Sequence, residues 1–437
     1  MSQTRRELLM QALLGGGGLG LRALASGLPA ALLRPAAAQA RGLDSAAGGG
    51  TDPAAQFLIL STSSAGDPVN ANTPGTYEHP AIEHSADPRM APTALRLGCR
   101  RVTAAAPWAG LPQAVLDRTV FFHHSTPAQG HPHNPRVLEL GGAPGDSAPA
   151  LFARYLGPRL DAAQDRPLLI GAHEQVTCGG QPLPRLCCTE LGAALTQGPT
   201  PLYRLAELRD QSLDAVHRSL RHSGDRERRA ALDRHARSRR EAQALADRLL
   251  SDLHAIKDNG PAGQVAAAAA LVRLGAAPVV CISIPFGGDN HFDYEFRAEC
   301  EETVSGVAHI AALMQKLGDY GLRDRASFAL LNVFGRTLRR HGRAGRDHWA
   351  DHHTAVLIGR PFAPAVIGGV APCGDDFAAT PICPRSGAPI AADAPQAIAQ
   401  AATLPSLGKT LGRGLGLPQE RLDAAIPSGQ VVRAALS

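Results

Sequence analysis

Seven short apolar runs, each bounded by turn residues, constrain this fold more than any other feature. They occupy 56–61, 119–123, 168–171, 279–284, 327–333, 354–358 and 365–368. A continuous apolar run of this length has no solvated face, which is the pattern of a strand buried on both sides of a parallel sheet. Helical periodicity separates several of the runs. Residues 263–275 lead into the run at 279, and 301–317 lead through a turn-rich stretch into the run at 327. The order helix, glycine turn, strand marks α/β units. The expected fold is α/β, a doubly wound and mostly parallel sheet flanked by helices.

Residues 203–258 have a different texture. Leu205, Leu208, Val216 and Leu220, then Leu245, Leu249, Leu253 and Ile256, recur at helical spacing among many charges. Between them, 225–241 holds seven arginines and four acids. Such a charge run reads as a solvated helix face with i,i+4 ion pairs. We expect two antiparallel helices broken at Ser223-Gly224, inserted as a cap in a single domain spanning 54–430.

The N-terminus reads as an address. Arg5-Arg6 precede a weakly hydrophobic stretch interrupted by glycines 15–18, and Ala38-Gln39-Ala40 offers a small-x-small cleavage site. These features describe a twin-arginine signal over 1–40, followed by a flexible linker over 41–53. The expected location is periplasmic or secreted, with no transmembrane span after signal removal. Residues 1–40 carry four arginines and one glutamate, leaving 40 basic against 38 acidic groups in the remainder. That near-neutral body argues against nucleic acid as a partner. At 44% hydrophobic and 19% charged residues, the chain is no disordered polymer. An even count of eight cysteines permits disulfides in an exported chain, and Cys373–Cys383 is the expected bridge. Cys281, inside an apolar run, reads as a buried thiol.

Ligands of open α/β sheets collect beyond the C-terminal strand ends, so the chemistry is expected there. After 279–284 come Asp289 and His291, two residues apart on a glycine-rich turn. After 327–333 come Arg336, then Asp347 and His348, with Asp351, His352 and His353 just before the next run. After 56–61 come the hydroxyls of residues 61–64, Asp67 and Asn70. After 119–123 come His124, Ser125 and Thr126, then His131 and His133, a loop that is either a further ligand set or a substrate wall. Mixed carboxylate and imidazole ligands suit divalent metals, zinc or another transition metal, as one ion or two. The metal candidates are Asp67, Asp289, His291, Asp347, His348 and His352. Arg336 is either a bidentate anion clamp or a structural arginine paired with an acid. The nucleophile is left open between a hydroxyl, with Ser125 and Thr126 first and Ser63 and Ser64 second, and a metal-bound water. The set fits metal-assisted ester hydrolysis.

Four stretches resemble the secreted bacterial family known as domain of unknown function (DUF) 1501, usually placed in the alkaline phosphatase/sulfatase-like superfamily. They are Asp67-Pro68-Val69-Asn70, Gly288-Asp289-Asn290-His291, Phe334-Gly335-Arg336-Thr337 and Gly345-Arg346-Asp347-His348. The first departs from the family's paired glycines, and Val333 stands where the family usually carries an acid. The resemblance implies an alkaline-phosphatase-like sheet and a metal-dependent hydrolase of phosphate or sulfate esters. The alternative is a non-catalytic exported binding or assembly protein on a degenerate form of that fold. Substrate class is left open between small molecules and polymers.

Overall fold

All seven apolar runs lie in one central sheet, which the computed structural model completes with an eighth, two-residue strand at one edge. In chain order the strands are β1 (Phe57–Ser61), β2 (Thr119–His124), β3 (Leu168–Ile170), β4 (Arg185–Leu186), β5 (Val279–Ile282), β6 (Ala326–Leu330), β7 (His353–Ile358) and β8 (Ala365–Ile367). Their spatial order is β8-β2-β7-β6-β1-β5-β3-β4. Only β7 runs antiparallel to its neighbours β6 and β2; every other pairing is parallel. β1 sits mid-sheet, in register with β6 through Ile59 and Phe328 and with β5 through Ile59 and Val280. Its five residues are all buried, as a strand covered on both faces requires.

The structure describes residues 54–131, 134–142, 144–171, 176–191, 248–340 and 345–437, with single positions between 212 and 233. The expected signal and linker, and most of the helical insertion at 203–258, lie outside the described residues. The last turns of that insertion are described: 248–254 are helical, with Leu249 and Leu253 buried. Among the described residues no helix is long and apolar enough to cross a membrane.

Four helices matter for the site's placement. They are α1 (Ala148–Leu160), α2 (Pro261–Arg273), α3 (Arg297–Asp319) and α4 (Thr403–Gly414). α2 begins on Pro261, whose fixed φ and missing N–H suit a first turn, and continues through five consecutive buried alanines, Ala266–Ala270. Methyl-sized side chains bring its axis close to the sheet. α3 buries Cys300, Thr303, Val307, Ile310, Leu313 and Leu317, a stripe at spacings of three and four. A Cβ on Gly306 would stand 2.8 Å from the Pro285 carbonyl oxygen, so glycine there lets α3 press against the segment leading to Asp289. On its other side Asp252 of the insertion bonds Lys316 at 2.7 Å.

The expected Cys373–Cys383 bridge is absent; all eight cysteines are free thiols. Cys373 ends one strand of a tight hairpin in which it faces Asp376, while Val370 faces Ala379. The returning strand therefore carries Cys383 past the far end of the hairpin, away from the tip. Cys281 is buried as expected, and burial pushes its thiol up to about 12.

Candidate metal centre

Because β1, β2, β5 and β6 point the same way and β7 the opposite way, one sheet edge gathers four loops that leave strands and the segment that enters β7. Asp67 follows β1, His131 follows β2, Asp289 and His291 follow β5, Arg336 follows β6, and Asp347 and His348 precede β7. A two-stranded ribbon sets the last group in place: Gly335 pairs with Trp349 and Arg336 with His348. Gly345 N–H donates to the His291 carbonyl at 2.8 Å, bringing the Asp289 turn against the ribbon. A Cβ on Gly345 would collide with the Asn290 carbonyl, so this approach requires glycine.

His131, Asp289 and His348 form a group that could hold a metal ion, each offering one ligand atom with all three atoms within 4.8 Å of one another. His131 Nε2 lies 3.5 Å from Asp289 Oδ2, and His348 Nε2 lies 3.7 Å from Asp289 Oδ1. Ligands about 2.0–2.2 Å from a tetrahedral ion stand roughly 3.3–3.6 Å apart, and these two separations, each to a different oxygen of the Asp289 carboxylate, approach that span. The opposite nitrogen of each imidazole meets a backbone carbonyl: His131 Nδ1 at 2.6 Å from Ser64 O, and His348 Nδ1 at 3.0 Å from Gln129 O. Donation from Nδ1 fixes the tautomer that leaves the Nε2 lone pair for an ion. Side-chain exposures of 41% for His131, 49% for Asp289 and 23% for His348 leave the group open to solvent on one side.

Charge around the group favours ligand-competent protonation states. Burial lowers the His348 pKa, and the Arg336 charge lowers it further, keeping the imidazole neutral. Burial pushes the Asp289 carboxyl up, but the Arg336 hydrogen bond and charge outweigh it and hold the group below its ordinary value.

His291 and Asp347 flank the group as a hydrogen-bonded pair, Nδ1 to Oδ1 at 2.8 Å. His291 Nε2 then faces Asp289 Oδ1 at 3.2 Å and accepts from Arg336 Nη1 at 3.2 Å. Arg336 is fully buried. Its Nε donates to Gly66 O, Nη2 to Ala65 O and to Asp289 Oδ1 at 2.6 Å, and Nη1 also to Arg346 O at 3.3 Å. All five guanidinium donors are thus engaged, and the arginine orients Asp289 from within the protein. Arg336 is thus an arginine paired with an acid, Asp289.

Behind this lies a second buried arginine. Arg346 binds Glu299 with Nε to Oε2 at 2.8 Å and Nη2 to Oε1 at 3.2 Å, and both side chains are fully buried. Glu299 also accepts from Asn72 at 2.8 Å and Asn290 at 3.1 Å. One carboxylate thus ties together the loops after β1, β5 and β6.

Asp289, His291, Asp347 and His348 therefore meet at one place, and His131 joins them. Asp67 stands beside them in a different role. Its Oδ1 accepts from Phe286 N at 3.1 Å and Gly288 N at 2.7 Å, pinning the turn that presents Asp289. Burial raises the Asp67 pKa against the pull of those bonds. His352 does not join the group. Its Nε2 meets His123 Nδ1 at 2.9 Å and its Nδ1 meets Asn70 Nδ2 at 3.3 Å, inside a buried cluster with His124 and His353. The strand ladder explains this: β7 begins at His353, so His352 is drawn into the sheet's edge packing rather than the loop. Ser125 and Thr126 are likewise elsewhere. Ser125 Oγ donates to Gln400 O at 2.8 Å and Thr126 Oγ1 to Ala128 O at 3.2 Å, so neither hydroxyl faces a base. Both line a separate cavity of about 680 Å³ with Asp351 and Leu404. His133 lies outside the described residues. What the sequence could not show are Ser64 O and Gln129 O, because backbone carbonyls carry no residue signature.

Comparison with protein-family models and with curated proteins finds no match to this chain.

Proposed function

We propose that this chain is an exported, metal-dependent hydrolase of phosphate or sulfate esters with an alkaline-phosphatase-like sheet. The observation that carries the reading is the convergence of His131 Nε2, His348 Nε2 and Asp289 within 4.8 Å on a solvent-facing sheet edge. Four segments resembling the DUF 1501 family support it, since three of them supply Asp289, His291, Arg336, Asp347 and His348 to that edge. The signal-like N-terminus supports export.

His131, His348 and Asp289 would hold the ion. When bound, it would supply Lewis acidity toward the ester and lower the pKa of a water. The chain's own contribution is positional. Arg336 fixes the Asp289 carboxylate, and Ser64 O and Gln129 O fix the two histidine tautomers. His291, aligned by Asp347, accepts from Arg336 at Nε2 and so closes the inner wall of the site.

The second reading, a non-catalytic binding or assembly protein, draws on one observation: the Arg336 donors are spent and the Ser125 and Thr126 hydroxyls are bonded to carbonyls. Zinc titration of the purified chain, followed by assay on p-nitrophenyl phosphate and p-nitrophenyl sulfate, separates the two. Near-stoichiometric zinc, lost in His348→Ala, with ester turnover supports the hydrolase. Zinc without turnover leaves the binding protein, and no zinc overturns the metal centre.

A further inference from the structure

A hairpin after β8 grips the ribbon that carries His348. Its strands are Val370–Cys373 and Asp376–Ala379, with Cys373 facing Asp376 across the turn. The first strand is mostly exposed, while all four residues of the second are buried. The buried strand reaches both arms of the ribbon. On the arm leaving Arg336, the Asp376 carboxylate accepts from Leu338 N at 3.0 Å through Oδ1 and at 2.8 Å through Oδ2, and from Arg339 N at 3.1 Å. On the arm holding His348, Trp349 Nε1–H donates to Phe377 O, and Ala379 N–H donates to Asp351 O at 2.8 Å. Phe377 packs with Ala71, Ile82 and Leu338 in a small cluster apart from the main core. The hairpin thus closes on the ribbon through one buried carboxylate and one buried ring.

Resting on the metal-centre reading, we propose that Asp376 is a positioning residue for that centre, its ionised carboxylate clamping the ribbon at Leu338 and Arg339 and so setting where His348 Nε2 stands. The reason lies in donor and acceptor counts. An ionised carboxylate offers acceptors alone, and here both oxygens are spent on backbone N–H groups. A proton turns one oxygen into a donor facing a donor, so a buried amide loses its partner. Burial pushes the Asp376 carboxyl up to about 6, against the pull of the Leu338 and Arg339 amides and the Arg346 charge. The clamp therefore loosens in mildly acidic solution. Arg346 holds the same arm from its other side, donating to Thr337 O at 3.1 Å and Leu338 O at 2.8 Å, so protonation slackens the ribbon without releasing it. The other charged and titratable groups packed about the hairpin are few. Arg339 lies 5.3 Å and His79 4.7 Å from the Phe377 ring centroid, Glu83 accepts from Arg340 N at 3.2 Å, and Cys373 and Asp375 are exposed at the turn.

Asp376→Asn imitates the protonated acid in shape and charge. The test compares its zinc affinity with that of the wild type by competitive titration from pH 7.5 to 5. The ratio of the two cancels the proton competition that His131 and His348 impose on both proteins. Binding roughly tenfold weaker in Asp376→Asn at pH 7.5, closing toward equality at pH 5 as the wild-type carboxyl takes up its proton, supports the clamp. A second readout needs no metal. The chain holds two tryptophans, Trp108 and Trp349, so the Trp349 indole N–H is one of two indole signals in the NMR spectrum. In the zinc-free wild type it should shift with a midpoint near pH 6, and Asp376→Asn should lack that step. Asp376→Ser, which cannot ionise, stands in if the asparagine variant does not fold. An affinity ratio of one throughout, a ratio that does not change with pH, or an indole signal indifferent to Asp376 overturns the proposal. An Asp376-dependent indole step in a chain that takes no zinc would sustain the clamp on the ribbon and sink the metal-centre reading, so the two fail separately.

Discussion

His291 donates Nδ1–H to Asp347 Oδ1 at 2.8 Å, which leaves its Nε2 turned toward Asp289 and Arg336 rather than out to a solvent-side ion. The pair therefore supports the metal group from beside it. His131→Ala and His348→Ala are each expected to weaken zinc by more than about 100-fold, beyond what outer-shell changes usually produce. Asp347→Ala and His291→Ala are expected to weaken it by roughly 10-fold. Competitive zinc titration measures all four, and a loss in His291→Ala as large as that in His348→Ala would make His291 a ligand.

The buried Arg346–Glu299 pair governs whether the site assembles. Removing one partner leaves the other charge buried without compensation, at a cost of about 3–5 kcal/mol. Arg346→Met should therefore lower the urea midpoint strongly. Arg346→Met/Glu299→Met should recover part of the loss, because the orphaned charge is gone. A double variant as unstable as the sum of the singles would show that packing, not charge pairing, sets the cost.

The sheet was legible because seven apolar runs cannot be solvated on either face, and all seven take their places in it. Strand ends drifted by a residue or more where buried residues continue past the ladder, as at Ser283 and Ile284 after β5. The two-residue edge strand β4 and helix α4 were missed: the first is too short to show a period, and the second carries Pro405 and three glycines. At the site, Asp289, His291, Asp347 and His348 were visible as ligand-type residues at strand ends. The place of His352 was not legible because residue type cannot tell a loop histidine, His348, from one four residues on that packs under the sheet's rim. The surroundings of Ser125 and Thr126 were not legible, because a hydroxyl beside histidines looks the same in sequence whether it meets a ring nitrogen or a carbonyl.

The Ser125 and Thr126 hydroxyls predict a negative result. A serine nucleophile needs a base within hydrogen-bond reach, and both hydroxyls instead donate to carbonyl oxygens. Ser125→Ala and Thr126→Ala should leave hydrolysis of p-nitrophenyl esters unchanged within error. Loss of turnover in either, with zinc binding intact, would return the nucleophile to that loop.

The buried histidine cluster sets the direction of the acid response. Burial pushes His123 and His124 down to about 4 and drives His352 and His353 well below the ordinary 6.5, with neighbouring imidazoles adding to the last two. These are bases held neutral in the folded chain. Between pH 6.5 and 4 the unfolded chain takes up protons that the folded chain refuses, so stability is full above 6.5 and falls as the pH drops through that window. Each such histidine removes about 1.4 kcal/mol per pH unit across it. Urea midpoints measured from pH 7.5 to 5 should decline steadily, and a flat profile would refute the account. His353 sharpens the test, since neither ring nitrogen has a hydrogen-bond partner among the described residues. His353→Phe removes a buried, unsatisfied polar ring, so it should be neutral or stabilising at pH 7.5 and should flatten the acid slope. A variant that loses stability at pH 7.5 while keeping the wild-type slope would show that the His353 nitrogens are satisfied in solution.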